Sequence, residues 1–348
     1  MAKGQQYQPE RRFFQDNRTG VEITQLSSFP TVNSKFYFHV NAFTPDSKSL
    51  VFHSYKSASR NSQIDVFKVD VDGTGLTRLT DNPGVGGTVL SYDGQWLYYM
   101  VGPEFRRTSL TTYEEQTINR LERLSGEFDL ACITYDDRHY YVEAVLDNGN
   151  VGIVRFAADG SEATVVYEGP GITHVQVEPQ EGKTIAFQTR PDEQHRNIWL
   201  IDADGGNLRP FSLPYGNGHW MWVGGTGKIM SNLEKAHQGI AVMREGDEQA
   251  ERLVEGEHFW HASSSLDGEW MVSDTNWPDN GIQIIHIKTK KYKTLCYTGS
   301  SSSHPQWTHP HPSFSPDGRY VVFNSDASGI PHLYLAKVPE ELYAELSR

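Results

Sequence analysis

Only two cysteines occur in this chain of 348 residues, Cys132 and Cys296. They can close one bridge at most, so no disulfide framework organises the fold. No apolar run approaches the roughly 18 residues of a membrane-spanning helix. The first residues, M-A-K-G-Q-Q-Y-Q-P-E-R-R-F-F, are basic but have no apolar stretch of a secretory signal, so a cytoplasmic location is expected. Positive charge is short as well: 31 Lys and Arg stand against 44 Asp and Glu, a net charge of −13. Long-range repulsion then argues against nucleic acid or an anionic membrane as partner. A small anionic ligand is still admissible, because local Arg, His and metal can override the global sign. Helical periodicity is also scarce. Thr111 to Leu124 is the best helix candidate, with strand plus loop as the alternative.

What is present is a repeat. Phe43-Thr44-Pro45-Asp46-Ser47, Leu90-Ser91-Tyr92-Asp93-Gly94 and Ser313-Phe314-Ser315-Pro316-Asp317-Gly318 each precede an alternating apolar run, as does Leu266-Asp267-Gly268. Weaker copies centre on Asp136-Asp137, Glu181-Gly182 and Thr226-Gly227. With turn positions 47, 94, 138, 182, 227, 268 and 318, the gaps are 47, 44, 44, 45, 41 and 50. A period near 45 is the length of a four-stranded propeller blade, so the spacing predicts an all-β, seven-bladed β-propeller. Further Asp-Gly pairs at Asp72-Gly73, Asp159-Gly160 and Asp204-Gly205 supply hairpin turns within units. The last unit stops at Pro339-Glu340-Glu341-Leu342 without a final strand. Gly20-Val21-Glu22-Ile23-Thr24-Gln25-Leu26 precedes the first unit as an unpaired strand. Lending that strand, residues 20–27, to the last blade closes the ring and removes an open edge. The expectation is one domain over 1–348, with blades over 36–338.

Histidines follow the same register. His39, His174 and His219 lie 8 residues before their turn positions, and His261 and His311 lie 7 before theirs. His309 stands two residues before His311, which on an extended strand places both on one side. Inner strands line the central channel, so these side chains can gather at one rim although they are distant in sequence. Neutral imidazoles are good ligands for a first-row metal. Gln306, His309 and His311 sit within six residues of each other, with His261 one blade earlier. For His39 and His174, a structural hydrogen bond to a neighbouring loop is the alternative reading. The remaining histidines, His258 and His332 among them, share no register and read as packing or surface residues.

The run T-H-P-H-P-S-F-S-P-D-G at 308–318, preceded by Gln306, closely resembles the C-terminal signature of oligogalacturonate lyases, the seven-bladed polysaccharide lyases of family 22. The resemblance extends to the tail from Asn324 through Val338-Pro339-Glu340 and to Gly20–Leu26. It implies a manganese ion, or another divalent metal, held by Gln306, His309, His311 and a third histidine in H-A-S-S-S-L-D-G, which is His261. His258 competes for that place, but His261 has the inner-strand register. The resemblance implies His219, in G-H-W-M-W, as catalytic base and Arg196, in H-R-N-I-W-L-I-D, as catalytic arginine, with Arg190 and Arg209 as nearby alternatives.

The implied chemistry is β-elimination on a short oligogalacturonide such as unsaturated digalacturonate, in pectin catabolism. A histidine with a pKa near 6.5 can take the weakly acidic C5 proton while a metal at the C5 carboxylate neutralises charge. An always-protonated arginine can hold a carboxylate. Two readings of other classes stand beside it: a non-catalytic propeller that binds partners or acts as scaffold, and a metal-dependent hydrolase.

Overall fold

The computed structural model describes residues 3–55, 63–192 and 195–348, with side chains for all of these except 190–192, 195–197 and 217. Among them the strands form seven antiparallel sheets arranged as a β-propeller. The innermost strands are Asn33–Lys35, Val85–Leu90, Leu124–Ile133, Ile172–Val177, Gly216–Trp222, Phe259–Ser264 and Ser313–Phe314. The second and third strands of each blade are its most buried ones, as Leu50, Val51, Val142, Val154, Ile185, Ile284 and Val321 show. Such strands read as short, nearly continuous β-branched or aromatic runs, because both faces of a blade pack against neighbours.

The hairpin that joins the first two strands of each blade carries the repeat. Ser47, Gly94, Gly182, Gly227, Gly268 and Gly318 all have φ between 57° and 71°. In blade 3 that role falls on Asp137, with φ 58°, one residue before the position the spacing indicates. A tight turn between twisted strands needs this left-handed residue, and Gly, Asn and Asp tolerate it best. An Asp two residues after a Ser or Thr makes the same small network at several turns. Asp46, Asp93, Asp136, Asp267 and Asp317 each accept the hydroxyl of Thr44, Ser91, Thr134, Ser265 and Ser315, at 2.5–2.7 Å.

Blades are welded by apolar clusters that span the seams. Tyr141 and Ile153 of blade 3 meet Ile172 and Val175 of blade 4, and Leu200 of blade 4 meets Trp220 and Trp222 of blade 5. Phe43, Leu50 and Phe52 of blade 1 meet Val322, Leu333 and Leu335 of blade 7, which closes the ring. Burial of this apolar area, at roughly 25 cal/mol per Å², is the main force holding the ring together.

The closing strand is Glu22–Gln25, paired with His332–Lys337 as the fourth strand of blade 7. A fifth strand, Arg12–Gln15, pairs outside it and is exposed along its whole length. Closure therefore moves the open edge of blade 7 outward rather than removing it, which corrects the expectation. The helix candidate at 111–124 is instead a turn and the strand Glu115–Arg120. The residues after Pro339 form a helix, Glu340–Leu346, whose Leu342 and Leu346 pack onto blades 6 and 7. Glu340 and Glu341 in its first turn suit the positive end of the helix dipole. Both cysteines are free, Cys296 buried and Cys132 half-buried, with burial pushing the Cys132 thiol up to about 12.

Blade 1 departs from the others. Its innermost strand breaks after Lys35, and the chain returns to the sheet only at the Phe43–Leu50 bridge. Between them Phe36 packs with blades 2 and 3, whereas Phe38 packs with Val223, Met230, Phe259 and Met271 of blades 5 and 6. Residues 36–42 thus cross the central channel and plug it.

Candidate active site

The histidines meet because the inner strands are irregular where they lie. Register shifts fall between Thr173 and Gln176 in blade 4, between Gly216 and Trp220 in blade 5, and between Phe259 and Ala262 in blade 6. A bulge inserts an unpaired residue and re-aims its side chain. The bulged residues include His174, His219 and His261. His174 has φ 57°, a conformation uncommon for a non-glycine residue.

Blade 7 supplies two more by a different route. His309 closes a short 3-10 turn, Gln306–Thr308, and is extended, whereas His311 is left-handed with φ 46°. The innermost strand begins only at Ser313. The two imidazoles therefore converge through this backbone kink, and strand alternation, the reason expected from the sequence, does not apply. The long gap of 50 residues before the last turn is this loop. It is pinned by Asp326, which accepts from the Ser301 N–H at 2.7 Å and from the Ser300 and Ser301 hydroxyls.

His261, His309 and His311 are all buried, and one nitrogen of each lies within 4.8 Å of the others. His261 donates its Nδ1–H to Asp274 at 2.9 Å, which leaves Nε2 as the lone-pair nitrogen. His309 Nδ1 and His311 Nε2 are buried with no hydrogen-bond partner among the described residues. Buried polar atoms are rarely left unmatched, so orphaned imidazole nitrogens pointing at one small volume fit a cation. Burial holds His261 and His311 well below the usual imidazole range and His309 below it, so each presents the neutral, ligating form. Gln306 lies one turn earlier, is exposed, and accepts the His309 N–H on its carbonyl at 2.9 Å.

His219 is half-buried beside this trio, its ring 4.6 Å from that of His261. His258 does not join them. Its Nδ1 donates to the Asn276 carbonyl at 2.7 Å, while Asn276 donates its N–H to the His258 carbonyl at 3.1 Å, so it braces a turn. Arg196 lies on the strand His195–Asp202, but its side chain, like that of Arg190, is outside those described. Arg209 sits on the outer strand Arg209–Phe211 and is committed to Glu245 and to Asp202, the latter at 2.8 Å. It is far from the channel lining.

Several residues in the site carry no signal in the repeat. Tyr37, on the segment that plugs the channel, has its ring 4.8 Å from His311 and 5.4 Å from His39. Its hydroxyl is 3.4 Å from His174 Nε2. His39 is half-buried in the same plug, outside any strand, and desolvation of its ring pushes it down to about 3. Three consecutive aromatics, Phe36-Tyr37-Phe38, break strand alternation and were the available clue. Asp274 is buried against His261, and burial raises its carboxyl to about 7 against the pull of two backbone N–H groups. Lys35, whose Nζ donates to the Phe36 carbonyl at 2.7 Å, is lowered to about 7 by burial, opposed by the charge of Asp274. Trp260 covers the outer side, its ring 4.5 Å from His261 and 4.3 Å from His309.

Residues 133–342 match the family model described as oligogalacturonate lyase. Over 99% of this chain and their full lengths, it is 27% identical to the oligogalacturonate lyase of Dickeya dadantii (strain 3937) and 26% identical to the oligogalacturonide lyase of Pectobacterium atrosepticum. Among solved structures, an oligogalacturonate lyase in complex with manganese superposes with a TM-score of 0.85, covering 99% of this chain and 100% of that one at 24% identity. The oligogalacturonate lyase of Vibrio parahaemolyticus superposes with a TM-score of 0.83 at 23% identity, covering 98% and 100%. The two structures share the fold from the first blade to the last. With the family model matched over more than half of its residues, this chain belongs to the oligogalacturonate lyase family.

Proposed function

We propose that this protein cleaves short oligogalacturonides by metal-assisted β-elimination, the whole chain acting as one domain. The observation that carries the reading is the buried trio His261, His309 and His311, with its orphaned nitrogens and the Asp274 carboxylate behind it. His261 Nε2, His309 and His311 would hold the ion, with Gln306 as fourth ligand. Carboxylate-backed imidazoles are the usual arrangement at metal sites, the carboxylate fixing the tautomer and raising ligand basicity. Manganese bound there supplies a Lewis acid against which charge on the substrate carboxylate is stabilised. The manganese-bound relative supports the choice of ion.

The remaining steps belong to the chain's own residues. His219 stands at the edge of the trio with its ring half-open to the channel, placed to take the C5 proton. His219 takes the C5 proton, C4=C5 forms from the C5–H electron pair, and the C4–O bond breaks with the leaving oxygen taking up a proton from water. Arg196 binds the substrate carboxylate or balances charge as it develops. Tyr37, on the segment that crosses the channel, packs against His311 and His261 and so forms a wall of the site. A short substrate suits a cytoplasmic enzyme acting on imported fragments.

The test is incubation of the manganese-loaded protein with unsaturated digalacturonate and mass analysis of products. Elimination gives products lighter by one water than hydrolysis would. Untouched substrate, or hydrolytic products, would overturn the reading.

A further inference from the structure

On this lyase reading the substrate has at least two rings, and the trio with His219 accounts for one. We propose that Trp277, backed by Trp260, is the platform on which the neighbouring uronide ring stacks.

Trp277 lies in the turn between the strands Trp270–Thr275 and Ile282–His286 of blade 6. Phe259 pairs with Thr275, so this turn emerges at the end of the blade where the inner strand with His261 begins. Its indole is 59% exposed and its centroid is 5.3 Å from that of Trp260. Trp260 in turn packs on the imidazoles of His261 and His309. One aromatic surface thus runs from the metal ligands out to solvent.

Two features of Trp277 run against folding stability and so call for a use. A large indole is left in water, where burial would be favourable. Its backbone is also left-handed, with φ 50°, a region that bulky side chains avoid and that persists only where the surroundings impose it. The surroundings do impose it. The paired bonds between His258 and Asn276 clamp one end of the turn, and Asn280 donates its N–H to Thr275 Oγ1 at 2.7 Å at the other. The backbone beneath the ring is therefore fixed, and the indole itself rests against Trp260 and His258, which lowers the ordering cost on binding.

The ligand class follows from the surface. In digalacturonate the neighbouring ring is a saturated, galacto-configured pyranose, which presents the C–H groups of C3, C4 and C5 on one face, an apolar patch that matches an indole in size. Trp277 is thus a specificity residue for substrates with a second ring.

The experiment compares the wild type, Trp277→Ala and Trp277→Phe, all loaded with manganese, on digalacturonate. Trp277→Ala is expected to raise KM about tenfold, the loss of one aromatic stack. It is expected to lower kcat by no more than roughly twofold, as loss of binding common to ground and transition state does. Metal content should not change, and Trp277→Phe should recover most of the KM. An unchanged KM in Trp277→Ala overturns the platform, as does a loss in kcat alone. If the wild type cleaves nothing, the lyase reading falls, and tryptophan fluorescence titrated with the same digalacturonate decides the platform separately. Quenching seen in the wild type and lost in Trp277→Ala upholds it; equal quenching, or none, ends it.

Discussion

Asp274 holds His261 twice: one carboxylate oxygen takes the ring Nδ1–H at 2.9 Å, and the other takes the backbone N–H of the same residue at 2.6 Å. Ring orientation and backbone position are therefore set by one side chain. Replacing Asp274 with Ala should weaken manganese binding about 10–100-fold, the usual effect of removing such a partner. Chelator competition measures this, and activity should return at saturating metal. Affinity within a factor of about two of wild type would refute the role.

His219 and the trio should separate in their effects. His219→Ala should lower kcat by roughly 10²–10⁴-fold, the typical contribution of a positioned base, with metal content intact. His309→Ala and His311→Ala should lose the metal itself. Metal analysis beside product formation distinguishes the two patterns.

The arginines should also part. Arg196→Ala should abolish turnover with the fold and metal unaffected. Arg209→Ala should leave kcat alone and change stability by no more than about 1 kcal/mol, because ion pairs near the surface contribute little. Turnover assays with denaturant unfolding test both.

The plug rests on Phe38, which is 2% exposed among blades 5 and 6. Phe38→Ala should cost about 3–5 kcal/mol, the usual range for a buried Phe, read from the urea midpoint. It should also lower activity by releasing Tyr37 from the wall of the site.

Acid stability follows from His332, buried at the seam between blades 1 and 7 with Nδ1 near Ser27 Oγ and Asn33 Nδ2. Burial, with Arg12 adding repulsion, lowers it to about 4. A histidine with a depressed folded-state pKa binds its proton more readily when unfolded. Its contribution is therefore complete above the unfolded value near 6.5 and is lost as pH falls from there towards 4. Stability should decline across this window with a slope of about 1.4 kcal/mol per pH unit from this group. His332→Gln should reduce proton uptake on unfolding by about one, by calorimetry in two buffers.

Much of the ring is legible in one dimension because a left-handed turn residue has a chemical signature. Ser-Pro-Asp-Gly and its relatives recur every 45 residues or so, since each blade needs the same hairpin at the same place. The blade count, the closing strand and the shared register of His174, His219 and His261 all follow from that local requirement. The C-terminal helix and the fifth strand are less visible, because both are short and owe their stability to the surfaces they cover rather than to their own propensity.

The convergence of the site was decided in three dimensions. Register alone put His39 in a strand and His309 beside His311 on one strand face; the folded chain sends His39 across the channel and joins the other two by a backbone kink. Spacing favours His261 over His258, because His261 alone holds the inner-strand register; the folded chain adds the reason, a carboxylate opposite His261 and a carbonyl opposite His258. Lys35 and Tyr37 are near the trio only because separate blades close on a common axis, whereas Asp274 and Trp260 share blade 6 with His261. The sequence by itself determined the periodic part of this protein, the hairpins whose causes lie within a few residues. Tertiary structure decided the site, whose distances depend on the packing of seven sheets around a channel, a relation between residues far apart in the chain.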